Sequence, residues 1–255
     1  MPVSLEPKSR RAFLKAASAV AASASIGLHA SAAESAAPWF ALLADTHIDA
    51  NPEKEARGVN LVENLQRVVA EILAEPTKPE FVVINGDCAY NIGTEGDYQT
   101  LKPLLQPLLE KSIPVHLTMG NHDDRGPFYK LFPNAKDAAV ELKTHHVSVI
   151  ESAHANWFLI DTLQHVNKVT GEVGAAQREW LLKEIDAKGN LPAIIIGQHY
   201  PQSLPEGSTA TVSGLADTAE FMDLLRSRPQ VKAYVHGHSH SYQFKKASGE
   251  IHQIS

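Results

Sequence analysis

Val115-His116-Leu117-Thr118-Met119, followed at once by Gly120-Asn121-His122-Asp123, is the stretch that decides the fold. A short apolar run bounded by a turn residue reads as a strand. The glycine ends it, and three polar side chains are then displayed at its carboxyl end. The same pattern recurs along the chain. Asp45 and His47 follow an expected strand at residues 39–44, in Leu43-Ala44-Asp45-Thr46-His47. Asp87 follows residues 81–85, in Val83-Ile84-Asn85-Gly86-Asp87. His199 follows residues 193–197, in Ile194-Ile195-Ile196-Gly197-Gln198-His199, and His236-Gly237-His238-Ser239-His240 closes residues 233–236.

Between these runs lie amphipathic stretches. Leu61, Leu65, Val68, Val69 and Ile72 mark one apolar helical face, and Trp180, Leu181 and Ile185 another. Further helices are expected at residues 98–109, despite two prolines, and at 218–225. Strands are also expected at 147–150, 157–161 and 250–254. The alternation predicts an α/β protein of βαβ units with a largely parallel sheet. Loops at the carboxyl ends of parallel strands converge on one crevice, so these dispersed polar residues are expected to meet there.

Composition narrows the function. With 255 residues, the chain suits one substantial domain. Its net charge of −6 argues against an electrostatic nucleic-acid binder. The single cysteine, Cys88, excludes a disulfide framework and a thiolate-rich metal site, and reads as a small buried residue after a strand. Thirteen histidines are the unusual feature, and imidazole is a metal ligand and proton carrier.

The first residues read as an address. Ser9-Arg10-Arg11-Ala12-Phe13-Leu14-Lys15, an Ala/Ser-rich apolar stretch and Ala30-Ser31-Ala32 resemble a twin-arginine export signal with its cleavage site. The expectation is a signal over residues 1–33, a partnership with the twin-arginine export machinery, a periplasmic or otherwise exported product, and no stable membrane span in the mature chain. The domain is then residues 34–255. Because the chain stops at Ser255 within an expected strand region, a truncated carboxyl end is also expected.

The ordered set of motifs resembles the calcineurin-like metallophosphoesterase family over nearly the whole mature chain. That resemblance implies a four-layer α/β/β/α sandwich of two mixed sheets flanked by helices, with a dinuclear metal site at the strand carboxyl ends. By resemblance, Asp45, His47 and His240 bind one metal, Asn121, His199 and His238 a second, and Asp87 bridges them. His122 is then the catalytic histidine, oriented by Asp123. A carboxylate, imidazole and amide donor set without thiolate suits manganese, iron or zinc. The implied reaction is hydrolysis of a small-molecule phosphate ester by a metal-activated water.

Phe158-Leu159-Ile160-Asp161-Thr162 and Gln177-x-x-Trp180-Leu181 further resemble the cyclic-nucleotide phosphodiesterase branch, tilting the expectation toward phosphodiesters. A phosphomonoesterase of the same family, like the acid and alkaline phosphatases, and a non-catalytic scaffold of the same fold remain as alternatives. His236 reads as a strand-end structural residue, and His145, His146, His154 and His165 as surface residues. Tyr90, Asn91 and Tyr200 sit beside the ligand-bearing loops without an assigned role.

Overall fold

Alternate residues of a strand face opposite sides of its sheet, and here both sides of both sheets are apolar. The structure, a computed structural model, describes residues 37–133, 142, 144–245 and 251–255. The expected export signal at residues 1–33 lies outside them. In chain order the first half contains β1 (Ala41–Ala44), a small hairpin of β2 (Glu55–Ala56) and β3 (Val59–Asn60), α1 (Leu61–Leu73), β4 (Val82–Asn85), α2 (Glu95–Glu110), β5 (Val115–Leu117) and α3 (Arg125–Leu131). The second half contains β6 (Ser148–Glu151), β7 (Asn156–Leu159), α4 (Ala175–Ala187), β8 (Ala193–Ile196), α5 (Thr218–Arg226), β9 (Val231–Val235), β10 (Phe244–Lys245) and β11 (His252–Ile254).

The βαβ alternation is divided over two sheets rather than one. The first, ordered β1-β4-β5, is parallel throughout. The second, ordered β10-β11-β9-β8-β7-β6, is mixed, with β7, β8, β9 and β11 parallel and antiparallel strands at both edges.

Strand parity sorts the apolar residues into three cores. Val82 and Ile84 of β4 join Leu65, Val69 and Ile72 of α1, Leu101, Leu105 and Leu108 of α2, and Phe128 of α3. Phe81 and Val83 turn the other way, to Trp157 and Leu159 of β7, Ile196 of β8 and Val235 of β9. On the far side of the second sheet, Phe158, Ile195 and Tyr234 pack with Trp180, Leu181 and Ile185 of α4 and Phe221 and Leu225 of α5. The result is the four-layer α/β/β/α sandwich. Each large side chain buried this way contributes about 1.5–3 kcal/mol.

Local chemistry explains the helix that looked least secure. Pro103 and Pro107 lie on the exposed face of α2, where carbonyls without a helical partner reach water. At its start, Thr94 and Asp97 form a reciprocal capping box. The unforeseen α3 begins in Arg125-Gly126-Pro127, which reads as a turn in sequence; the Asp124 carboxylate caps it by accepting from Gly126 N at 2.8 Å.

The fully buried side chain of Gln177 holds the end of β7 in place. Its Oε1 accepts from Asp161 N at 2.8 Å, while its Nε2 donates to Asp161 O at 2.7 Å and Val173 O at 2.9 Å. Gln177→Leu orphans these backbone groups, and each buried unpaired group costs ~1–3 kcal/mol. Urea unfolding should show a loss of at least ~2 kcal/mol. A midpoint unchanged from the wild-type value would refute this role.

Candidate metal centre

The loops leaving β1 and β4 run side by side. Asp45 N donates to Gly86 O at 3.2 Å, His47 N to Asp87 O at 2.9 Å and Ile48 N to Cys88 O at 2.9 Å. From the second sheet, Gly237 N donates to Gln198 O at 2.9 Å, and His238 N donates to both carboxylate oxygens of Asp45 at 3.0 Å. Asp45, His47, Asp87 and His240 thereby each present one donor atom, all within 4.8 Å of one another. The His199 and His238 rings lie 4.7 Å apart between centroids. Asn121 is buried with neither amide atom hydrogen-bonded among the described residues, and His199 Nε2 is likewise buried and without a partner among them.

The backbone here is unusual. Asp45, His47, Asp87, His238 and His240 all adopt left-handed conformations, with φ of 55°, 47°, 45°, 66° and 48°. For residues with a Cβ each such conformation costs roughly 1–2 kcal/mol, and it aims side chains in directions a regular strand end does not reach. Two glycines allow close approach. A Cβ on Gly120 would lie 2.2 Å from Asp87 Oδ1, and one on Gly171 would lie 2.3 Å from His199 Cγ.

Electrostatics prepares the site for cations. Burial, partly opposed by the Asp45 charge, brings the His47 pKa down to about 4. Burial, with His238 and His122 nearby, brings His199 down to about 3. Burial and then the Asp123 charge push the Asp87 carboxyl well above its ordinary value. His47 Nδ1 meets the Tyr90 carbonyl at 3.4 Å, so Nδ1 carries the proton and Nε2 the lone pair. That Nε2 stands 3.0 Å from His240 Nε2. Two facing imidazole nitrogens, close carboxylates and unpaired buried acceptors fit a divalent cation.

His122 and Asp123 divide their work differently from the expectation. The His122 ring gives its Nδ1–H to Asn91 O at 2.7 Å, and its backbone N donates to Asp87 Oδ1 at 2.9 Å. Asp123 does not orient that ring. Its buried carboxylate accepts from Cys88 N (3.1 Å), Ala89 N (3.0 Å), Gly120 N (2.9 Å) and Tyr98 Oη (3.0 Å), tying the β4 and β5 loops together. Four donors leave it no capacity for an imidazole, and burial raises its pKa to about 6.

Other features escaped the sequence reading. Thr162 Oγ1 lies 2.8 Å from His199 Nδ1 and fixes that ring, a role foreshadowed only by its place in Ile160-Asp161-Thr162. Gln198 bonds both Asp45 and Asp87. His146 is buried rather than on the surface, with Nε2 2.8 Å from Leu117 O and Nδ1 2.9 Å from Tyr129 Oη. Cys88 is buried as expected. At the rim, the Tyr90 ring meets His47 edge-on with Lys54 Nζ 4.5 Å from its centre, and Tyr200 Oη bonds Ser213 Oγ at 2.6 Å. A cleft of about 290 Å³ lined by Pro38, Phe40, Glu80, His154 and Trp157 shares no residue with the cluster.

Fold and donor set together define a metalloprotein of the α/β/β/α class, with its centre at the strand carboxyl ends. The sequence pattern of the calcineurin-like phosphoesterase family matches residues 38–242. The chain belongs to that family and is a metal-dependent phosphoric ester hydrolase. It is 24% identical over 214 residues to the 3′,5′-cyclic adenosine monophosphate phosphodiesterase CpdA of Pseudomonas aeruginosa, covering 84% of this chain and 73% of that protein. A protein of Rhodopseudomonas palustris named as a probable cyclic nucleotide phosphodiesterase is 30% identical over 207 residues, covering 79% of this chain and 71% of that one. In fold, the chain matches a dimetal phosphatase from Danio rerio with a TM-score of 0.63 at 15% identity, covering 84% and 85% of the two chains.

A pH prediction follows from the buried histidines. His47 and His199 take up protons in the unfolded chain below about 6.5, but in the folded chain only below about 4 and 3. The unfolded state then holds more protons, so stability rises with pH across that window and is lost as the pH falls. Asp87 and Asp123 act in the opposite sense, but His146 and His238 add to the histidine side. The chelator-treated chain should therefore unfold at progressively lower urea as pH drops from 6.5 to 4.5. A constant or rising midpoint would contradict neutral buried imidazoles.

Proposed function

We propose that this chain is an exported phosphodiesterase acting on small phosphate diesters, cyclic nucleotides foremost, with two divalent ions. The observation that carries the reading is the convergence of Asp45, His47, Asp87 and His240 within 4.8 Å, beside the unpaired buried donors of Asn121 and His199. In this reading Asp45, His47 and His240 hold one ion, Asn121, His199 and His238 the other, and Asp87 is shared. The names of the Pseudomonas and Rhodopseudomonas relatives support the diester substrate, and that of the Danio rerio phosphatase supports two ions.

Bound divalent ions supply Lewis acidity, lowering the pKa of water and offsetting charge on the phosphoryl oxygens. The protein's own part centres on His122. Asn91 O holds the Nδ1 proton whatever the ring's charge, so Nε2 is the nitrogen that takes up or releases a proton. That arrangement suits donation to the leaving oxygen of the ester. Thr162 and Gly171 hold the His199 ring from behind, and the carbonyl of Tyr90 fixes the tautomer of His47.

One observation favours a second reading, hydrolysis of monoesters. Lys54 Nζ stands over the Tyr90 ring beside His47 and offers a positive charge to the extra negative charge of a monoester.

The test combines elemental analysis with hydrolysis of bis-p-nitrophenyl phosphate, 3′,5′-cyclic AMP and p-nitrophenyl phosphate in manganese. We expect diester hydrolysis to dominate, and His122→Ala to keep its metal while turnover falls ~10²–10⁴-fold. Preference for p-nitrophenyl phosphate would favour the monoester reading, and full turnover in His122→Ala would remove His122 from the reaction.

Export rests on Arg10-Arg11 and the apolar stretch after them. Among the described residues no helix is long and apolar enough to cross a membrane. A reporter fused behind residues 1–40 should reach the periplasm, and the Arg10→Lys, Arg11→Lys double variant should not. Export of both alike would sink the twin-arginine assignment.

A further inference from the structure

Gln198 is fully buried, follows β8 of the second sheet, and immediately precedes His199. Its carboxamide nitrogen donates to Asp45 Oδ1 at 3.0 Å and to Asp87 Oδ2 at 3.0 Å. Asp45 and Asp87 leave β1 and β4 of the first sheet. One amide group therefore spans the junction of the two sheets and touches both carboxylates.

The geometry uses everything the amide nitrogen has to give. A primary amide carries two N–H bonds, and each goes to a different acid. Hydrogen bonds to an ionised carboxylate are roughly twice as strong as neutral ones, and here they offset the repulsion between two acids brought side by side. The remaining atom, Oε1, is buried without a partner among the described residues. A carboxylate carries about four lone-pair sites over its two oxygens, so an acid bound by Gln198 retains capacity for a cation.

The placement is enforced from both sides. Gly86 has φ of 65°, and a Cβ built there would lie 2.1 Å from Gln198 Cγ and 2.6 Å from its Cβ. The Gln198 carbonyl accepts from Gly237 N at 2.9 Å, the turn that also delivers His238 N to Asp45. Gln198 thus sits where the loops after β1, β4, β8 and β9 meet.

We propose that Gln198 is a positioning residue for the metal centre: its carboxamide holds the Asp45 and Asp87 carboxylates at one spacing across the sheet junction, so that the ligand set is assembled before an ion arrives. The inference rests on the metal reading given under the proposed function. Partners behind metal ligands typically change metal affinity by about 10–100-fold when removed, and the side chain's bulk is separable from its N–H groups.

Gln198→Leu and Gln198→Met keep an apolar side chain of similar size while removing both donors. Wild type and variants would be stripped with chelator and refilled with manganese by equilibrium dialysis. Bound ions would be counted by elemental analysis, and the electron paramagnetic resonance spectrum of bound manganese recorded. Both variants should keep the wild-type far-ultraviolet circular dichroism, need about 10–100-fold more free manganese for half-saturation, and give an altered manganese spectrum. Variants that fill at the same free manganese with the wild-type spectrum would overturn the proposal and leave the metal reading standing. A wild-type chain that takes up no manganese would overturn both. Should Gln198→Leu fail to fold, the unbranched and adaptable Gln198→Met decides.

Discussion

Asp45, Asp87 and Asp123 bring three carboxyl groups into a region from which water is largely excluded, and each is kept there by a different device. Asp45 takes the His238 backbone N–H and an amide proton of Gln198. Asp87 takes the His122 backbone N–H and the other amide proton of Gln198. Asp123 takes three backbone N–H groups and the hydroxyl of Tyr98. Leaving a carboxylate buried and unpaired costs several kcal/mol, so these bonds are conditions of folding. They also leave the first two acids incompletely satisfied. Burial still pushes Asp87 toward its neutral form, and a cation is the natural remedy for that imbalance.

The same demand explains the strained backbone. Strand ends deliver side chains along the sheet, whereas a cation needs donors pointing inward from several directions. Left-handed conformations at Asp45, His47, Asp87, His238 and His240 make that turn within one residue each. At roughly 1–2 kcal/mol apiece the strain is considerable. Behind Asp87 it is supported by a strand buried on both faces: Val82 and Ile84 hold β4 in one core while Val83 holds it in the next. A sheet packed on one face only would give the loops a less rigid base.

Much of this was legible in the order of residues. Strand-then-polar punctuation at Gly120-Asn121-His122-Asp123 and its four counterparts located the loops that converge, because a strand's carboxyl end is a fixed place in an α/β fold. The division into two sheets was not legible from periodicity, since a strand buried on both faces reads the same in one sheet or two. α3 was hidden because Gly126-Pro127 is equally a turn and a helix's first residues. His146 passed for a surface residue because burial of its ring depends on Tyr129 and Leu117, seventeen and twenty-nine positions away. Gln198 and Gly171 carried no motif signal, because their importance lies in what they touch across the sheet junction.

The separation of His122 from Asp123 bears on the chemistry as well as on the reading of the motif. An imidazole paired to a buried carboxylate is held toward its charged form by that charge. Asn91 O offers the His122 ring orientation without a full negative charge. That bond fixes the ring and leaves Nε2 as the nitrogen available for the proposed proton donation. Asp123, freed from the ring, spends its charge on the backbone of residues 88, 89 and 120, the segments that carry Asp87 and Asn121. One motif thus supplies the proposed proton donor from one residue and, from the next, the rigidity of the loops that carry the candidate metal ligands.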